Sequence, residues 1–101
     1  MFSLEKISQT EVMLVVSGSL YGEAAAEFEK RLEWLGQSDY STVTLDLSMA
    51  LGITSSAIGK LLSARKRLVE RNKTIRIKGC NETLYQTFQR IKLDTIIQIT
   101  R

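Results

Sequence analysis

The stretch from Val43 to Leu62, VTLDLSMALGITSSAIGKLL, restricts the possible folds more than any other part of the chain. Val43, Leu45 and Leu47 alternate with Thr44, Asp46 and Ser48, the period of a strand with a buried face. The alternation breaks in a loop, Ser48 to Thr54, that carries Gly52. Thr54, Ser55 and Ser56 then stand directly ahead of a helical pattern on Ile58, Leu61 and Leu62. A strand passed so quickly to a helix is the first half of a crossover connection, which calls for a further strand beside the first.

The flanking segments supply such strands. Phe2, Leu4 and Ile7 outline a first strand and Val12 to Val16 a second, separated by the polar Ser8 to Glu11, so the chain opens with a hairpin. Gly18 and Gly22 bracket a loop. Ala25, Phe28, Leu32 and Leu35 then form the apolar stripe of a helix that Gly36 should stop, with Trp34 off the stripe at the core margin. The central strand, Thr42 to Leu47, and the helix after it follow, the helix continuing through Ala64, Leu68 and Val69 to Arg71 with Asn72 as terminator. Ile75 and Ile77 make a short strand. Asn81 suits the N-cap of a third helix bearing Leu84, Tyr85 and Phe88, with Arg90 at its end, and Ile96, Ile97 and Ile99 form a last strand. The order implies one domain over residues 1–101: an α/β fold, a small mixed sheet of four to five strands with helices packed on it.

Composition removes several functional classes. The chain has no histidine and one cysteine, Cys80, so no Ser-His or Cys-His pair, disulfide or thiolate metal cluster can be assembled. No Gly-rich phosphate loop occurs, and Cys80 beside Gly79 reads as a small packed residue. An enzyme built on Asp46 and a loop hydroxyl would lack a second nearby carboxylate, so no enzymatic activity, metal or cofactor is expected. No apolar run approaches a membrane span and the first residues do not resemble a signal peptide, which places the chain in the cytoplasm as an expectation. Between Lys60 and Lys78 stand Arg65, Lys66, Arg67, Arg71, Lys73 and Arg76 against Glu70 alone. With a net charge of +3 and no interleaved aromatics, these read as a solvated or partner-facing helix, without direct DNA binding.

The three hydroxyls are more than capping requires. A helix start needs one N-cap, and neither Ala57 nor Gly59 completes a capping box three residues after Thr54 or Ser56. The first turn of a helix offers free N–H groups and a positive dipole end, where an added anion is welcome.

These residues resemble a family signature. Asp46-Leu47-Ser48, followed after the loop by Thr54-Ser55-Ser56-Ala57-Ile58-Gly59, is similar to the motif of STAS domains in bacterial anti-sigma factor antagonists, with Thr54 in place of the family's Asp and Ala57 in place of its Gly. The segment Gly18-Ser-Leu-Tyr-Gly and the last twenty residues resemble the same family, so the likeness covers nearly the whole chain. It implies the STAS fold and a partner switch. The unmodified protein would bind an anti-sigma factor that is a serine kinase of the histidine-kinase-like ATPase type, and release it when Ser55, or alternatively Ser56 or Thr54, is phosphorylated. A PP2C-type, metal-dependent phosphatase would reverse the modification. The partner-binding surface implied comprises Leu20, Tyr21, Gly22, Asp46, Ser48, Met49, Ile53, Thr54, Ser56, Ile58 and Gly59. A constitutive scaffold, or a subunit of a transporter or stress-signalling complex, is the other reading the substitutions leave open.

Overall fold

The computed structural model describes residues 1–101. Five strands form one sheet in chain order: β1 (Phe2–Lys6), β2 (Glu11–Leu20), β3 (Thr42–Ile53), β4 (Thr74–Cys80) and β5 (Gln98–Thr100). β1 and β2 are the expected antiparallel hairpin, and β2 to β5 pair in parallel. The helices α1 (Glu23–Gln37), α2 (Ser55–Glu70) and α3 (Glu82–Arg90) occupy the three crossovers. Because successive parallel strands are neighbours and such crossovers are right-handed, all three helices fall on one face of the sheet.

The core is the space between that face and the helices. Val12, Leu14 and Val16 of β2, Val43, Leu45 and Leu47 of β3, and Ile75 and Ile77 of β4 meet Ala25, Phe28, Leu32 and Leu35 of α1 and Ala57, Leu61, Ala64 and Leu68 of α2 in one buried cluster. Leu84, Phe88, Leu93 and Ile97 extend it under α3. The other face of the sheet is mostly polar, with Met13 buried on it. There Thr44 Oγ1 donates to Glu11 Oε2 (2.8 Å), and Arg76 reaches both, its Nη2 at 2.8 Å from Glu11 Oε2 and its Nε at 3.1 Å from Thr44 Oγ1. This network covers Thr44, which is why a hydroxyl is among the buried residues.

Several element boundaries differ from the sequence reading. α1 does not stop at Gly36 but runs to Gln37, and Ser38 closes it by donating from its N–H and its hydroxyl to Leu35 O. Gly36 lies where α1 meets α2: a Cβ there would make ordinary contact with Leu68 Cδ2 at 3.5 Å, and Arg71 donates to the Gly36 carbonyl at 2.8 Å. Gly18 lies inside β2 with φ +85°, where the ladder to β3 is irregular, rather than opening a loop. β1 ends at Lys6, leaving Ile7 outside it. The last strand is shorter than its isoleucines suggest, because Leu93–Thr95 forms a 3₁₀ turn whose Leu93 carbonyl accepts from Ile96 and Ile97. Trp34 is 57% exposed, well outside the core margin. Asn72 does terminate α2 as expected, in the left-handed conformation with φ 60°.

Candidate functional site

The segment from Ser48 to Ile53, expected as a loop, is strand. After Leu47 pairs with Cys80, β3 leaves β4 and continues beside β2 alone, with Ser17 opposite Met49, Gly18 opposite Ala50, Ser19 opposite Gly52 and Leu20 opposite Ile53. Two bulges mark the change of course. In β3, Asp46 Oδ1 accepts from the N–H of Ser48 at 3.0 Å and from the Ser48 hydroxyl at 2.6 Å, and one extra residue between Asp46 and Met49 shifts the register against β2; against β4 the extra residue lies in β4 itself, between Ile77 and Cys80. Gly79 (φ +81°) packs against this kink, where a Cβ would lie 3.2 Å from Ser48 Cβ and 3.3 Å from Asp46 Oδ1. Asn81 ties the ribbon down from the other side, donating to Ala50 O at 3.0 Å while capping α3 through Leu84 N.

The ribbon delivers the chain to α2. Thr54 is the N-cap: its Oγ1 accepts from the N–H of Ala57 at 3.2 Å, and its own N–H donates to Leu20 O at 3.3 Å. That second bond joins the end of β2 to the start of α2, so Tyr21 and Gly22 sit beside the helix entrance. Ser55 and Ser56 are the first two residues of α2 and both are exposed. Since Thr54 has taken the cap, neither serine hydroxyl is committed to it. Their N–H groups lie in the first turn, where no intrahelical acceptor exists, and no acidic side chain occupies that turn. Gly59, one turn on, is also exposed and Ile58 half-buried, so small residues flank the serines.

The residues singled out by the motif therefore divide by position. Tyr21, Gly22, Ile53, Thr54, Ser55, Ser56, Ile58 and Gly59 form one corner of the molecule. Leu20 belongs to it only through its carbonyl, because its side chain is buried in the core. Met49 lies about 13 Å back along the ribbon from Ile53 at the usual strand rise, and is 64% exposed. Asp46 and Ser48 form the kink, and their side chains are engaged with each other. Sequence reasoning missed Leu51, which is 74% exposed on the ribbon next to Met49. An apolar residue between Ala50 and Gly52 signals neither strand nor surface until the ribbon is known.

Other candidates are accounted for. Burial pushes the Cys80 thiol above its ordinary pKa, disfavouring the nucleophilic thiolate. No group of three or more His, Cys, Asp or Glu side chains is gathered for a metal, and no helix is long and apolar enough to cross a membrane. Much of the basic segment is engaged inside the molecule: Lys60 pairs with Glu29 at 3.3 Å, Arg76 with Glu11, and Lys73 donates to the carbonyls of Ser38 and Tyr40.

A mixed sheet in chain order with helices on one face, and an exposed serine pair opening the helix after the central strand, defines a domain class. The chain belongs to the STAS domain family: the family described as "Mlab, STAS domain" matches residues 3–99. Solved structures agree on the fold. The anti-sigma factor antagonist SpoIIAA in its unphosphorylated form superimposes with a TM-score of 0.83 at 19% identity, covering 100% of this chain and 89% of its own. An anti-sigma factor antagonist from Mycobacterium paratuberculosis gives 0.86 at 14% identity, covering 99% and 84%. A sulfate transporter family protein from Wolinella succinogenes gives 0.78 at 11% identity, covering 95% and 80%. No curated protein sequence matches.

Proposed function

We propose that this STAS domain is an anti-sigma factor antagonist that works by partner switching, with Ser55 as the switched residue. The observation that carries the reading is the division of labour at the head of α2: Thr54 caps the helix, and Ser55 stands exposed at the first helical position with its hydroxyl uncommitted. Solved structures of similar fold include SpoIIAA in both unphosphorylated and phosphorylated forms. The unmodified corner, with Tyr21, Ile53, Ile58 and Gly59 around the serines and the exposed Met49 and Leu51 behind, docks on an anti-sigma factor that is also a serine kinase.

The chemistry needs no catalytic group from this chain. Ser55 Oγ attacks the γ-phosphorus of the kinase's ATP, ADP leaves, and the hydroxyl proton passes to a base of the kinase. A metal-dependent phosphatase returns the hydroxyl by hydrolysis. The phosphate adds roughly −1.5 to −2 charges. At the helix start it is compatible with the domain, because first-turn N–H groups and the dipole face it. In the interface it must be desolvated against the partner, and the complex weakens. Binding changes while the fold stays.

The test is phosphosite mapping together with two substitutions. After incubation with the kinase and ATP, mass spectrometry should place one phosphate on Ser55. Ser55→Asp should weaken partner binding about tenfold or more, the equivalent of at least about 1.4 kcal/mol, with melting temperature unchanged or slightly raised. Ser55→Ala should bind constitutively. Phosphate on Thr54 or Ser56, or an aspartate variant that binds like the parent, removes Ser55 from the role.

A second reading has its own support: Thr54 and Ala57 depart from the signature, and the fold is shared with a sulfate transporter family protein. On that reading the same corner is a permanent joint in a scaffold or transporter assembly, and no kinase modifies it.

A further inference from the structure

We propose that the chain forms a two-fold symmetric dimer through the outer edge of β1, with Trp34 enclosed at the joint. β1 is the end strand of the sheet: it pairs with Val12–Val16 on one side and with nothing on the other. Edges of this kind are normally guarded by proline, a bulge, or charge. The chain has no proline, β1 follows β2 residue for residue without a register shift, and its two charges, Glu5 and Lys6, are of opposite sign and so do not repel a second copy in every register.

Its apolar neighbours are unusually bare. Leu4 is 40% exposed, Ile7 51% and Trp34 57%, and Leu4 and Trp34, with Glu27 and Arg31 of α1, line a groove of about 280 Å³ along this edge. The chain's only tryptophan therefore stands in solvent beside an unpaired strand.

A second copy fits this edge because an antiparallel pair of identical strands is self-complementary about a two-fold axis. Phe2 and Leu4 face the helix side, Phe2 stacking on Phe28 and Leu4 lining the groove, so a symmetric pairing must match even-numbered residues with even-numbered ones. The register that uses the whole strand sets Leu4 against Leu4, Ser3 against Glu5 and Phe2 against Lys6. No like charges face each other in it, whereas a slip of two residues one way opposes Glu5 to Glu5. Lys6, which has no acidic partner within its own chain, comes opposite Phe2, beside the Glu27 carboxylate that Arg31 engages through only one oxygen. The two Leu4 and Trp34 side chains then close over the axis on the helix side. Thr54 is bonded at Leu20, four residues beyond the part of β2 that β1 covers, so both Ser55 corners stay open in the dimer.

Light scattering and tryptophan emission on the full chain over a wide concentration range test this. The mass should rise from 11.4 kDa toward twice that value, with Trp34 emission moving to shorter wavelength in parallel. Leu4→Lys should weaken association about tenfold or more by opposing two ammonium groups across the axis. On the exposed polar side, Ser3→Glu should weaken the dimer against Glu5 and Ser3→Lys should tighten it, with circular dichroism unchanged in both. A chain that stays at 11.4 kDa throughout overturns the proposal, as does a dimer indifferent to Leu4→Lys and both Ser3 variants. A Trp34 shift that requires added anionic phospholipid vesicles also overturns it and assigns the groove to a lipid surface.

Discussion

Glu11 accepts hydrogen bonds from Arg76 and Thr44 at a single carboxylate oxygen, and the Arg76 bond foremost holds its pKa below the ordinary 4.5. A group whose pKa is lowered by folding stabilises the native state above its unfolded value and loses that contribution as pH falls through the folded one. The parent should therefore lose stability as pH drops below about 4.5, and Glu11→Gln should show a flatter profile over the same window. Denaturant midpoints measured at successive pH values check this; equal slopes for the two proteins would count against it. Both partners were readable only as charges of opposite sign, because Glu11 and Arg76 are 65 residues apart and meet through the register of three parallel strands.

α2 shows what local rules can and cannot say about an element. Three hydroxyls at its entrance announced a helix start, and one of them does cap it. Thr54→Ala should cost about 1 kcal/mol in urea unfolding, and Thr54→Ser should recover most of it. An alanine variant as stable as the parent would mean that Ser55 or Ser56 can take over the cap. The strand before it was legible only to Leu47. Beyond that point the pattern lost its alternation, since Ser48 is consumed by Asp46 and the ribbon is paired on one side only. Gly36 shows the same limit: a glycine near a helix end reads as a stop, yet α1 runs through it to Gln37, and its carbonyl accepts from Arg71, 35 residues later.

At the scale of the whole molecule, one core joins all the elements, and Phe28 is fully enclosed within it, stacked on Phe2 of β1 with ring centroids 6.3 Å apart. Phe28→Ala should destabilise the domain by about 3–5 kcal/mol, a large share of the roughly 5–15 kcal/mol available to a domain of this size. Unfolding followed by Trp34 fluorescence and by circular dichroism should remain one coincident transition, shifted to lower denaturant. Separate transitions would show that α1, which carries Trp34, is not part of the same cooperative unit as the rest of the domain. Helices on a single face follow from chain-order strands and right-handed crossovers, and they leave the opposite face to the Glu11, Thr44 and Arg76 network and the sheet with an open edge at β1.

Periodicity and capping are local, and these by themselves determined the alternation of strands and helices, the cap at Asn81, and the presence of surplus hydroxyls at one helix start. Tertiary structure decided which of those hydroxyls is free, that Leu20 contributes a carbonyl and not a side chain, that Met49 and Leu51 stand out on a ribbon, and that Trp34 lies bare beside an unpaired strand. The reason is physical: a residue's exposure is set by what the rest of the chain places over it, and the contacts responsible bridge separations of tens of residues.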